Sequence, residues 1–130
     1  MAAKSRDARK AVDAIDLDRI LRDVAKAHRW TPARAREAEL WYRNFLYLRS
    51  QHRDPVPMIH KDADTLWHAH IVHTRQYAAD CDHVFGELLH HEPLGRTLDA
   101  KQLKEHRRRA AEVYQQQFGK TPLQLHPICV

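Results

Sequence analysis

Apolar residues recur at helical spacing through most of the chain, and no segment shows the alternation typical of a half-buried strand. The first such stretch begins near Asp16, a residue type that favours the N-cap, and ends at Trp30. The second begins at Thr31 and Pro32, an N-cap hydroxyl followed by proline at the first helical position, and runs to about Gln51. The pattern predicts one helix over each stretch.

A longer apolar stripe predicts a third helix from about Asp62 to about Val84, which we expect to be the central element of the fold. When successive residues are placed about 100° apart, the stripe falls on one face of that helix. Its members are Trp67, Ile71, Thr74, Ala78, Cys81 and Phe85. We expect four of them to be almost fully buried, namely Trp67, Ile71, Cys81 and Phe85. A last helix is predicted from about Leu98 to Phe118, with Gly119 following it.

These elements predict an all-α protein, folded as a compact single-domain bundle of about four helices. The 130 residues are enough for one domain. We interpret residues 1–14 as a basic, weakly helical lead-in, residues 15–120 as the helical domain and residues 121–130 as an irregular tail.

Composition excludes several classes of protein. No apolar run approaches the roughly 18 residues of a membrane span, and the first residues lack the apolar core of a secretory signal. Two cysteines are too few for a disulfide framework, so we expect a cytoplasmic protein. The net charge of +5 permits a nucleic-acid or acidic partner without requiring one. No phosphate-binding glycine loop, Gly-x-Ser-x-Gly or His-Glu-x-x-His motif occurs.

Histidine is the main chemical signal, since seven of the 11 histidines lie between positions 60 and 91. Asp64 and His68 are four residues apart and therefore share a helix face. His68 and His70 point about 200° apart on a helix, so they cannot bind one ion together. We predict a divalent-metal site, iron(II) or zinc, formed by Asp64 and His68 and completed by His90 or His91.

Several alternatives remain open from the sequence. His60 is also available as a third imidazole, and Cys81 could form a different cluster with His90 or His91 and with His126 or Cys129 of the tail. On a continuous third helix, the chain after Gly86 would have to run back almost fully extended to reach His68. Asp64 and His68 could also form only a local hydrogen bond.

The expected function is that of a small metal-binding protein, which could be a metalloenzyme acting on an unidentified small molecule or protein. His70 and Tyr77 are the candidates for proton transfer if the site is catalytic. The alternative is a non-catalytic module that binds RNA or an acidic protein and uses its histidines structurally. The basic run of residues 104–109 spans a wide arc of the last helix, which favours a solvated face over a phosphate-binding stripe.

The motif around these histidines resembles the glycine-rich domain-containing protein-like family of small bacterial and longer plant proteins. The resemblance depends on the pattern Asp64-x-x-Trp67-His68-x-His70-Ile71, then Thr74-Arg75-x-Tyr77-x-x-Asp80-Cys81, then Phe85-Gly86-x-x-Leu89-His90-His91-x-Pro93. The upstream stretch Trp41-Tyr42-Arg43-x-Phe45-Leu46 resembles the second helix of the family, so the resemblance covers about residues 16–120. It implies a role linked to stress or development, with a suggested contact to RNA. It also implies functional positions at Asp64, Trp67, His68, His70, Tyr77, Cys81, His90 and His91. The glycine- and cysteine-rich tail of many bacterial members is missing here.

Overall fold

The computed structural model describes residues 5–52, 54–92 and 98–122, and these residues form six α-helices. In chain order they are α1 (Ser5–Asp13), α2 (Asp18–His28), α3 (Pro32–Gln51), α4 (Lys61–Val72), α5 (Thr74–Phe85) and α6 (Ala100–Phe118). The all-α fold class is confirmed. The predicted number of four helices is wrong, because the lead-in contains a helix and the predicted third helix is two helices.

Helix α1 belongs to the folded part of the chain although its sequence is dominated by charge. Ala8 and Val12, one turn apart, are completely buried and lie in the same core cluster as the rest of the protein. Arg43 of α3 donates hydrogen bonds to the backbone carbonyls of Val12 and Ile15. Carbonyls at a helix C-terminus lack partners within the helix, so Arg43 both caps α1 and attaches it to α3.

The chain bends at His73, which ends α4 and begins α5. Two hydrogen bonds join residues ten positions apart across this bend, Trp67 Nε1 to the Tyr77 hydroxyl at 3.0 Å and His70 Nε2 to Asp80 Oδ2 at 2.8 Å. Ten residues along a straight helix would span about 15 Å. The prediction of one helix from Asp62 to Val84 is therefore wrong.

No glycine or proline marks this break in the sequence. Ile71, Val72 and Thr74 are β-branched, which lowers the local preference for helix, but tertiary contacts decide the geometry. The bend at His73 brings Tyr77 and Asp80 of α5 within hydrogen-bonding distance of Trp67 and His70 of α4.

Helices α3 and α4 form the centre of the molecule. Helix α3 packs against α1, α2 and α4, and α4 packs against α2, α3 and α5. Trp41 of α3 also receives the rings of Tyr114 and Phe118 from α6, at centroid distances of 5.6 and 6.2 Å. The central element is therefore the α3–α4 pair.

The predicted core is only partly correct. Trp67 and Cys81 are buried as expected, with exposed fractions of 0% and 3%. Ile71 and Phe85 are half-buried at the edge of the core. The bend at His73 divides the predicted stripe between two helices, so its residues no longer share one face.

Helix ends agree better with the sequence. The Thr31 side chain accepts a hydrogen bond from the Arg34 backbone N–H, as expected of an N-cap. Gly86 and Gly119 follow α5 and α6 in the left-handed conformation, at φ 74° and 73°. Within the described residues, each helix is too short or too polar to serve as a membrane span.

We expect Trp67→Ala to lower the free energy of unfolding by about 3–5 kcal/mol, the range for truncating a large buried aromatic residue. Chemical denaturation followed by circular dichroism would measure it. Val72→Ala is the control on the same helix, since Val72 is 76% exposed and its loss should change stability by no more than about 0.5 kcal/mol. A loss below about 1 kcal/mol for Trp67→Ala would contradict the central position of this ring.

Candidate functional site

Asp64 and His68 lie one turn apart on one face of α4. His60 caps this helix, and its Nδ1 accepts a hydrogen bond from the Ala63 backbone N–H. The cap fixes the first turn and with it the buried carboxylate of Asp64. His68 follows one turn later, with its Nε2 3.2 Å from Asp64 Oδ2 and its side chain 58% exposed.

His91 brings a second imidazole to the same carboxylate. Its Nε2 lies 2.9 Å from Asp64 Oδ1, so the two oxygens of Asp64 face the two histidines. One potential ligand atom from each of Asp64, His68 and His91 lies within 4.8 Å of the other two. We call these three residues the Asp64 cluster. It includes His91 but not the alternative third ligands His60 and His90.

The segment after α5 explains how His91 reaches Asp64. From Gly86 this non-helical segment runs back beside α5, so that the Leu89 carbonyl accepts a hydrogen bond from Tyr77 in the first turn of that helix, and His91 follows two residues later. The bend at His73 and this segment together bring His91 to Asp64 and His68. The His91 ring packs against Trp67 at a centroid distance of 4.1 Å and meets the His68 ring edge-on at 4.2 Å.

The donor set of the Asp64 cluster fits a divalent metal. Two imidazole nitrogens and one carboxylate are a known ligand set for zinc and iron(II), and they leave coordination positions open. Ligand atoms about 2.1 Å from a tetrahedral ion lie about 3.4 Å apart. The observed separations, from 2.9 Å to at most 4.8 Å, require only small side-chain adjustments to match.

His70 lies on a different face of α4 and is part of a separate buried network. The Tyr42 hydroxyl is 2.6 Å from its Nδ1, and Asp80 Oδ2 is 2.8 Å from its Nε2. Since a carboxylate can only accept, Nε2 carries the proton and Nδ1 accepts from Tyr42 in neutral His70. Burial lowers the pKa of His70 and outweighs the opposing effect of Asp80. Sequence reasoning gave Tyr42 and Asp80 no role, because these partners meet His70 only through the packing of α3 on α4 and the bend at His73.

The Tyr77 hydroxyl also has both a donor and an acceptor partner within the protein. It accepts a hydrogen bond from Trp67 Nε1 and donates one to the Leu89 carbonyl. Burial raises the pKa of Tyr77 well above its ordinary value, so the hydroxyl stays protonated and can donate. Neither His70 nor Tyr77 is part of the Asp64 cluster, and their role in proton transfer remains a prediction.

The other candidate ligands are not brought together within the described part of the chain. His90 is exposed and lines a groove of about 400 Å³ with Arg49 and Glu87. Cys81 is buried beside Tyr77, its thiol is free, and burial raises its pKa. His126 and Cys129 lie outside the described residues.

The basic run on α6 is partly neutralised by its own helix. Arg108 forms ion pairs with Glu105 and Glu112, the residues three before and four after it. Exposed pairs at this spacing are weak, but they reduce the positive potential that a phosphate backbone would meet.

A comparison with protein families matches residues 11–119 to the UCP032817-like family. No curated protein and no solved structure matches the chain. The resemblance to the glycine-rich domain-containing protein-like family is therefore wrong, and the chain contains only three glycines. That resemblance depended on single spaced residues between positions 41 and 93, whereas the family match compares residues 11–119 as a whole. The chain belongs to the UCP032817-like family.

Proposed function

We propose that this protein binds one divalent metal ion, iron(II) or zinc, through Asp64, His68 and His91. The observation that carries the proposal is the convergence of three potential ligand atoms from two separate parts of the chain within 4.8 Å. Asp64 and His68 share one helix face by sequence alone, but His91 joins them only through the fold.

Each residue of the Asp64 cluster has a distinct part in the proposed site. Asp64 is buried and supplies the negative charge that attracts the ion. His91 is half-buried against Trp67 and forms the inner wall. His68 is more than half exposed, so the open coordination positions would lie on its solvent side, where a substrate or water could reach them.

A bound ion with open positions would supply Lewis-acid or redox chemistry, and this supports a metalloenzyme acting on a small molecule or protein. A cytoplasmic location is part of the same proposal, since iron(II) and the free thiol of Cys81 both suit a reducing compartment. The alternative of an RNA- or protein-binding module has less support, because Arg108 in the basic run is paired with carboxylates.

We expect protein purified without a tag, under anaerobic conditions and after supplementation with iron or zinc, to contain about one metal ion per chain. Asp64→Ala, His68→Ala and His91→Ala should each lose most of it, because two remaining ligands hold such an ion poorly. Elemental analysis by mass spectrometry measures the content, and circular dichroism checks that helicity is kept.

His90→Ala is the matched control, since it removes the neighbouring imidazole, which lies outside the Asp64 cluster. It should retain the metal content of the wild type. A metal content far below one ion per chain in the supplemented wild type would refute the proposal. The Asp64 contacts would then be structural hydrogen bonds. Equal losses from His90→Ala and His91→Ala would also speak against the assigned ligand set.

A separate prediction concerns the basic run. Replacing Arg107, Arg108 and Arg109 by glutamine should leave any weak RNA binding and its salt dependence unchanged. If the three residues contacted phosphates, the slope of log affinity against log salt would fall by up to about 2–3. Fluorescence anisotropy titrations at several salt concentrations would decide between the two, and a lower slope would favour the nucleic-acid alternative.

A further inference from the structure

We infer that the Tyr77 hydroxyl is a positioning group for the metal site, which holds His91 in place for binding without touching the ion. The inference depends on the proposed metal site and assigns Tyr77 a role other than proton transfer. The residues involved are Trp67, Tyr77, Leu89 and His91, which we call the Trp67–His91 clasp.

The clasp is a continuous set of contacts from the core to the site. Trp67 Nε1 donates to the Tyr77 hydroxyl at 3.0 Å, and that hydroxyl donates to the Leu89 carbonyl. Leu89 is only two residues before His91, whose ring packs on Trp67 at 4.1 Å. Trp67 therefore fixes the segment twice, once through Tyr77 and once by direct ring contact.

The segment that carries His91 needs such an attachment. It follows the C-terminus of α5 and is not helical. Leu88 and His90 are exposed, whereas Leu89 and His91 turn inward, so its side chains alternate between solvent and core. A hydrogen bond to the Leu89 carbonyl sets the direction of this extended segment and keeps the His91 ring on the side of Asp64.

The Tyr77 hydroxyl suits this role because both of its hydrogen-bonding capacities are used inside the protein. It accepts from Trp67 and donates to Leu89, and it lies on α5, the helix whose end leads directly into the segment. Removing the hydroxyl would leave the segment with the His91–Asp64 contact, the contact between the Cys81 thiol and the Leu89 backbone, and the packing of His91 on Trp67. The three ligands would remain present, but His91 would sample positions away from the other two.

The test compares Tyr77→Phe with the wild type in zinc binding, measured by competition with a chromophoric chelator. We expect Tyr77→Phe to bind zinc about 10–100-fold more weakly, the range for losing an outer partner of a metal ligand. The stoichiometry should stay at one ion per chain, which separates a positioning residue from a ligand, since His91→Ala should bind less than one. Amide hydrogen exchange in residues 87–92 should be faster in Tyr77→Phe even without zinc.

Tyr42→Phe is the matched control, because it also removes a buried tyrosine hydroxyl, one that contacts His70 instead of the Leu89 segment. It should lower stability while leaving zinc affinity within about twofold of the wild type. Equal weakening by both variants would assign the effect to general destabilisation and overturn the inference. If the wild type binds zinc and Tyr77→Phe binds it equally well, the inference fails while the metal site stands. If the wild type binds no zinc, both fail.

Discussion

The position of the Trp67 indole is the constraint on which the rest of the structure depends. The ring lies 4.7 Å from Phe45 of α3 on one side and 4.1 Å from His91 on the other, and its only polar atom bonds to Tyr77 of α5. One side chain thus contacts α3, α5 and the segment that follows α5. A buried indole needs a partner for its N–H, and Tyr77 supplies that partner because the chain bends at His73.

Two polar networks lie on different faces of α4. One is the Asp64 cluster, which opens to solvent at His68. The other joins His70 to Tyr42 and Asp80 in the interior, linking α3, α4 and α5. Two histidines separated by one residue therefore have different surroundings. His68 is available to a ligand, whereas His70 is 1% exposed and both of its ring nitrogens have partners.

The two networks satisfy their buried polar groups in different ways. A buried polar group without a partner costs about 1–3 kcal/mol, so His70 must be fully hydrogen-bonded to be tolerated. The Asp64 carboxylate is almost as buried but faces two imidazoles, one of which is exposed. The two imidazoles satisfy this buried carboxylate by hydrogen bonding, and in the proposed metal site the ion would take that place.

The sequence by itself determined the helical class, the caps at Thr31 and Gly86, the burial of Trp67 and the pairing of Asp64 with His68. These depend on local periodicity, on backbone preference or on residues one turn apart. The pattern could not show that Ser5–Asp13 is a packed helix, since its apolar contacts with the core come only from Ala8, Ala11 and Val12. It also could not show the bend at His73, which no glycine or proline marks. Tertiary structure alone decided that His91 and not His90 meets Asp64, because the direction of a non-helical segment is fixed by what it packs against, here Trp67 and Tyr77.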